Sequence, residues 1–95
     1  MRAARDEDPA VRCAAVSGLG RIRPFGGAVE EALRAALLDS DAGVRAAGAL
    51  AAGAAGSGAA ALLPELLRLT ADANPEVRSN ALASANRIGQ VESRQ

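Results

Sequence analysis

Asp8-Pro9-Ala10-Val11-Arg12 returns as Asp41-Ala42-Gly43-Val44-Arg45 and again as Asn74-Pro75-Glu76-Val77-Arg78, with the three valines spaced 33 residues apart. The register extends beyond the pentapeptide without a gap. Asp6, Asp39 and Asp72 fall in one column; Ala14 and Ala47, Gly20 and Gly53, Arg21 and Arg87, and Ile22 and Ile88 share others. Upstream, Val29 aligns with Leu62 and Leu33 with Leu66. Self-similarity at one fixed period marks a chain of stacked supersecondary units.

Each unit reads as two helices. The second opens on Asp8, Asp41 or Asn74, whose side-chain oxygen can accept an orphan N–H at an N-cap. Pro9 and Pro75 follow at the first helical position, where a missing donor costs nothing. Val11, Ala15, Gly18, Leu19 and Ile22 recur at helical spacing, as do Val77, Ala81, Ala85 and Ile88. The middle copy offers only Val44, Gly48, Ala52 and Ala55, so its helix must lie close to its neighbours or leave a thin core. It is expected to be the least stable helix. The outer helix over Ala28 to Asp39 places Val29, Ala32, Leu33, Ala36 and Leu37 inward, with Glu30 and Arg34 paired outward. The next, from Ala59 to Asp72, places Leu62, Leu63, Leu66, Leu67 and Thr70 inward, and Glu65 and Arg68 outward, with Pro64 as a kink or a first-turn residue. Phe25, in a Pro- and Gly-rich loop, is expected to seat that loop on the core.

Composition agrees with an all-α chain. Ala and Leu favour helix, and only one residue in the chain is aromatic. Eleven basic residues, all Arg, balance eleven acids, so no net field draws the chain to nucleic acid or an anionic membrane. Cys13 is the single cysteine, which excludes an internal disulfide and fits a reducing compartment. No apolar signal core opens the sequence, and no stretch is read as approaching the ~20 apolar residues of a membrane span. A cytoplasmic location is the expectation. Met1 to Arg5 fills only the last turn of the first outer helix, so about five helices and roughly two and a half repeats are expected. Residues 1–89 form one domain with an incomplete first repeat, and 90–95 a disordered tail. An uncovered first repeat predicts self-association, docking on a partner, or excision from a longer array.

Asp8 to Ile22, with its Asp-Pro-x-Val-Arg start, its Ala-Ala and its Leu-Gly-x-Ile, resembles the inner-helix motif of short HEAT-like repeats. Asn74 to Gly89 is similar, with Asn86 in place of the glycine, while the middle copy keeps Val44, Arg45 and Gly53 but has Ala52 and Ala55 for the large aliphatics. Ankyrin repeats share the period, but no Thr-Pro-Leu-His box is present, nor the Trp, Tyr and Gly pattern of tetratricopeptide repeats. The resemblance implies a HEAT-like solenoid, a right-handed α-α superhelix, and mostly protein-binding scaffolds. It extends to bilin lyase subunits and to HEAT-like alkylpurine DNA glycosylases. It also implies that the repeated arginine ties neighbouring repeats through the aspartate of the turn.

Arg12, Arg45 and Arg78 could form a ladder able to hold phosphates or carboxylates. The structural alternative is local pairing, since Asp8 to Arg12 and Asp41 to Arg45 are i, i+4 with the acid first. Cys13 has neither His nor a second Cys for catalysis or zinc, and Asp6-Glu7-Asp8 lacks the spaced oxygens of a calcium loop. With His, Lys, Tyr and Trp absent, no enzyme and no cofactor is expected. Down the stack, the columns Cys13/Ala46/Ser79, Ser17/Leu50/Ala83 and Gly20/Gly53/Asn86 read as small, neutral and exposed. That inner face, centred on Leu50, is the expected protein-binding surface. Nucleic-acid binding through the arginine ladder with Arg21 and Arg23, and an accessory or degenerate lyase-type subunit, are the alternatives.

Overall fold

The computed structural model describes residues 6–93, with side chains as far as residue 89. It contains five α-helices: α1 (Pro9–Ser17), α2 (Gly27–Leu37), α3 (Ala42–Ala55), α4 (Leu63–Leu69) and α5 (Pro75–Ser93). Two 3-10 segments, Leu19–Arg21 and Gly56–Leu62, join the repeats, and no strand is present among the described residues. The inner helices α1, α3 and α5 pack side by side in sequence order, and the outer helices α2 and α4 lie on α3 and α5.

The caps explain where the inner helices start. Asp8 accepts from the amide of Ala10 at 2.9 Å, and Asp41 from Val44 at 3.1 Å. Asn74 accepts from Glu76 and Val77 at 2.9 and 3.2 Å. Each bond satisfies a helix donor that has no partner within its own helix.

The core runs through both layers: Leu33, Leu37, Leu62, Leu66, Ile88, Val16, Val44 and Val77 are its largest fully enclosed side chains. In α2, Val29, Leu33, Ala36 and Leu37 face inward as their spacing requires. In α4, Leu66 and Leu69 are buried, but Leu67 is 58% exposed rather than inward. The Ala59-to-Asp72 helix is in fact divided. Residues 56–62 are 3-10, and Pro64 stands in the first turn of α4, so Leu62, Leu66 and Leu69 become the inward set. Phe25 packs on the core, with its side chain against Gly58.

The structure bears on three further expectations. The Ala- and Gly-rich middle helix, α3, is the central helix, with eight buried residues from Val44 to Ala55. Its low volume is matched by close approach: a methyl group at Gly48 would lie 3.0 Å from the Cβ of Ala36. In the first repeat, Val16 is buried while Val11 and Ile22 are 39% and 40% exposed. No described helix lies over Val11 as α2 and α4 do over its counterparts. Ile22 leaves the helical register after the 3-10 turn, at φ −74° and ψ 131°. Finally, α5 continues to Ser93, so residues 90–93 are helical where a disordered tail was expected, and residues 94 and 95 lie outside the described residues.

The run Ala42–Leu69 reaches a mean hydropathy of 1.5 over eighteen residues, so, against the expectation, a stretch long and apolar enough to cross a membrane does exist by length and composition. Within it, Gly56 turns the backbone at φ +66°, separating α3 from the 3-10 segment and α4. Its apolar side chains supply the centre of this chain's own core.

Candidate functional site

The repeated arginines are held by two sets of acceptors. Nη1 of Arg12 donates to the carbonyls of Asp6 and Glu7 at 2.8 and 2.9 Å. Its Nε and Nη2 form a fork onto Asp39, both at 2.9 Å. Arg45 repeats the pattern, with Nη1 on the carbonyls of Asp39 and Ser40, and Nε and Nη2 on Asp72 at 3.0 and 3.2 Å. The local partners Asp8 and Asp41 use their oxygens on helix amides instead, so each arginine reaches 27 residues forward to the next turn. This is the tie that the resemblance implied. Arg78 keeps only the inner half, donating Nη1 to the carbonyls of Asp72 and Ala73 at 2.8 and 3.1 Å. Arg12 and Arg45 are therefore committed to carboxylates and do not present a free ladder for phosphates.

The electrostatics follow from these forks. The Arg12 guanidinium lowers the pKa of Asp39 against the opposing effect of burial, helped by the Asp41 amide. The Arg45 guanidinium and the Asn74 amide lower that of Asp72. A carboxylate with a depressed folded pKa contributes stability above its unfolded pKa and loses it as pH falls through the folded value. Both carboxylates have an ordinary value of 3.8, so the loss starts near there and continues below it. Thermal melts from pH 6 downward should thus show falling stability below about pH 4. Asp72→Asn should flatten that fall while lowering stability at neutral pH; an unaltered acid profile would contradict the role given to the fork.

On the other side of the inner helices lies a shallow groove of about 220 Å³, lined by Ser17, Arg21, Ala47, Leu50, Ala51 and Ala54. Leu50 is 62% exposed within it. The hydroxyl of Ser17 donates to the carbonyl of Cys13 at 2.8 Å, so the wall it forms is hydrogen-bonded internally. Ser17, Leu50 and Ala83 are all exposed and form the open column of the stack.

The other two columns point elsewhere. Ala46, expected on this face, is 3% exposed, and its carbonyl accepts from Nδ2 of Asn80 at 3.1 Å. Cys13 is half-buried with its thiol 3.8 Å from the carbonyl of Gly43. Only Ser79 of that column is exposed. The reason is directional: these positions face the next repeat, and among the described residues nothing follows α5. Gly20 and Gly53 are buried for the same reason, Gly20 against the backbone of Ala51 and Gly53 against Ser84. The expected face thus narrows to one column and gains a second that sequence reasoning missed, Arg21/Ala54/Arg87. It lies four residues, one helical turn, beyond Ser17/Leu50/Ala83, and all three of its members are exposed. That spacing was a signal available in the sequence. Arg21 and Arg87 make no ion pair among the described residues. No cluster of three or more potential metal ligands occurs there either.

Repeat period, capped inner helices, forward-reaching arginines and two helical layers identify the architecture, and family comparison agrees. HEAT repeats match residues 1–63, and a further HEAT repeat matches 62–91. The chain belongs to the HEAT-repeat family. Neither match distinguishes the bilin-lyase type among HEAT repeats. No curated protein and no solved structure matches the chain significantly. HEAT repeats commonly mediate protein–protein interaction and are generally non-catalytic scaffolds.

Proposed function

We propose that this HEAT-repeat chain is a non-enzymatic interaction module that holds an amphipathic helix of a protein partner against the groove around Leu50. The observation that carries the reading is the 62% exposure of Leu50 at the centre of an open column whose other members are small. A large aliphatic side chain ringed by Ala47, Ala51 and Ala54 offers a knob that a partner's apolar ridge can straddle. Arg21 at the groove edge and Arg87 in the same column favour a partner with acidic residues flanking that ridge. A reducing, cytoplasmic setting accords with the lone free thiol of Cys13.

Selection from a library of helical peptides tests this directly. The expected winners carry Leu, Ile or Met at i, i+3 or i+4, and i+7, with Asp or Glu beside them. Leu50→Arg should weaken them by at least about tenfold, as expected for a central apolar anchor, while leaving the circular dichroism spectrum unchanged because the side chain is exposed. A library without binders, or binders indifferent to L50R, overturns the reading.

A further inference from the structure

Net charge is zero, yet the inner helices are electrically polarised from end to end. Three aligned windows, 6–12, 39–45 and 72–78, surround the turns that open these helices and hold seven acids and three arginines. Eleven residues further along, the windows 17–23, 50–56 and 83–89 hold three arginines and no acid. At ~1.5 Å per helical residue the two poles stand about 16 Å apart, beyond the Debye length of ~8–10 Å at physiological salt. Each pole therefore acts on whatever lies against it with little cancellation from the other.

Between the poles the surface is neutral and open along α3. Gly43, Ala47, Leu50 and Ala54 follow at intervals of four, three and four residues, which is one face of a helix, and none of them is buried. Helix α3 packs on both α1 and α5, so the openness of this stripe belongs to the inner face and not to a flank of the stack. On α5, Glu76 and Arg87 hold the positions of Gly43 and Ala54, and on α1 Arg21 holds that of Ala54. All three are exposed, and none takes part in an ion pair among the described residues. A helix laid along the stripe thus has one end at the acidic pole and the other at Arg21 and Arg87. Its own dipole decides which end goes where. Acids stabilise a helix in its first turn and bases in its last, and a segment of three or four turns has little helix stability without such help. The acid-first, base-last segment is the better helix, and it matches this face only when it runs against the direction of α3.

Resting on the reading of the Leu50 groove given above, we propose that the partner helix lies antiparallel to α3, with Asp or Glu in its first turn at Arg21 and Arg87, and Lys or Arg about three turns later at the acidic pole around Asp41 and Glu76. The face then selects a direction as well as an apolar ridge, because the same ridge with its end charges exchanged sets like charges together at both poles.

Two hydrocarbon-stapled peptides test it. Both carry Leu at intervals of four, three and four residues, a ridge that reads alike in either direction; one has acids in its first turn and bases in its last, and the other has those ends exchanged. Stapling holds both helical, so their difference reports the face and not helix stability. By fluorescence anisotropy at about 0.1 M salt the acid-first peptide should bind at least about fivefold more tightly, and the gap should close toward 1 M salt, where screening reaches ~3 Å. The triple variant Arg21→Glu/Arg87→Glu/Glu76→Arg should reverse the preference. Where circular dichroism shows it unfolded, Arg21→Glu/Arg87→Glu decides and should abolish the preference. A nitroxide at the N-terminus of the bound acid-first peptide should broaden the amide signals of Arg21, Ala54 and Arg87 more than those of Gly43 and Glu76. Equal affinities, a tighter base-first peptide, a preference that the variants leave intact, broadening centred on Gly43 and Glu76, or binding by neither peptide overturns the proposal. Equal affinities that Leu50→Arg lowers alike would leave the groove reading standing and remove only the direction, whereas a helical-peptide library without binders removes the groove reading itself.

Discussion

Leu66→Ala should lower the unfolding free energy by about 2–5 kcal/mol, the range for emptying an enclosed leucine site. Leu66 has no exposed surface and sits in α4, which packs on α5 and on α2. A seven-residue helix has no stability of its own in water, so α4 persists only through the side chains it buries. Among the described residues, nine of the twenty buried hydrophobic ones are alanines, which leaves the leucines and valines to supply most of the volume. A chain of this length is stabilised by only about 5–14 kcal/mol in total, so the variant loses a large share of that margin. Leu67→Ala is the matched control. Leu67 is 58% exposed on the same helix, and its replacement should change stability by less than about 0.5 kcal/mol. Urea unfolding of the two variants measures the difference; equal costs would contradict the inward set Leu62, Leu66 and Leu69.

Gly20→Ala should destabilise by about 1–3 kcal/mol or more, as overpacking does in a tight interior. The sign is informative, because alanine is favoured over glycine in a helix by about 0.5–1 kcal/mol. At Gly20 the added methyl would overlap the backbone carbonyl of Ala51, and a backbone atom cannot rotate aside. The α1 and α3 segments would have to separate along their length, loosening Val16, Leu19 and the carboxylate fork of Arg12 together. Gly53→Ala meets Ser84 in the equivalent place, with the Cβ and Cα of Ser84 at 3.0 and 3.3 Å. There the clash also disturbs a buried hydrogen bond from the Ser84 hydroxyl to the carbonyl of Ala49 at 2.6 Å. Gly89→Ala is the counterpart of opposite sign, since nothing lies within 4 Å of its new methyl. Thermal melts of the three should place Gly89→Ala at or above wild type and the other two well below it. A stabilised Gly20→Ala would show that the inner helices do not approach as closely as described.

The local elements were legible because their causes are local. The 33-residue period, the caps at Asp8, Asp41 and Asn74, and the apolar stripe of Val29, Leu33, Ala36 and Leu37 depend on residues within a few turns of one another. From these the amino-acid order alone determined paired helices, their starts and their order in the stack. What it left undecided was which neighbour covers each face. Val11, Val44 and Val77 occupy one column but differ in exposure, and among the described residues only Val44 and Val77 have an outer helix above. Ala46, Gly20 and Gly53 carry too little apolar surface for their pattern to announce burial, and only the distance between helices enclosed them. The arginines had acids four residues before them and acids 27 residues after. Capping took the first set, and tertiary packing brought the second within reach. Short-range physics is written along the chain, whereas coverage and long-range pairing exist only once the helices have closed on one another.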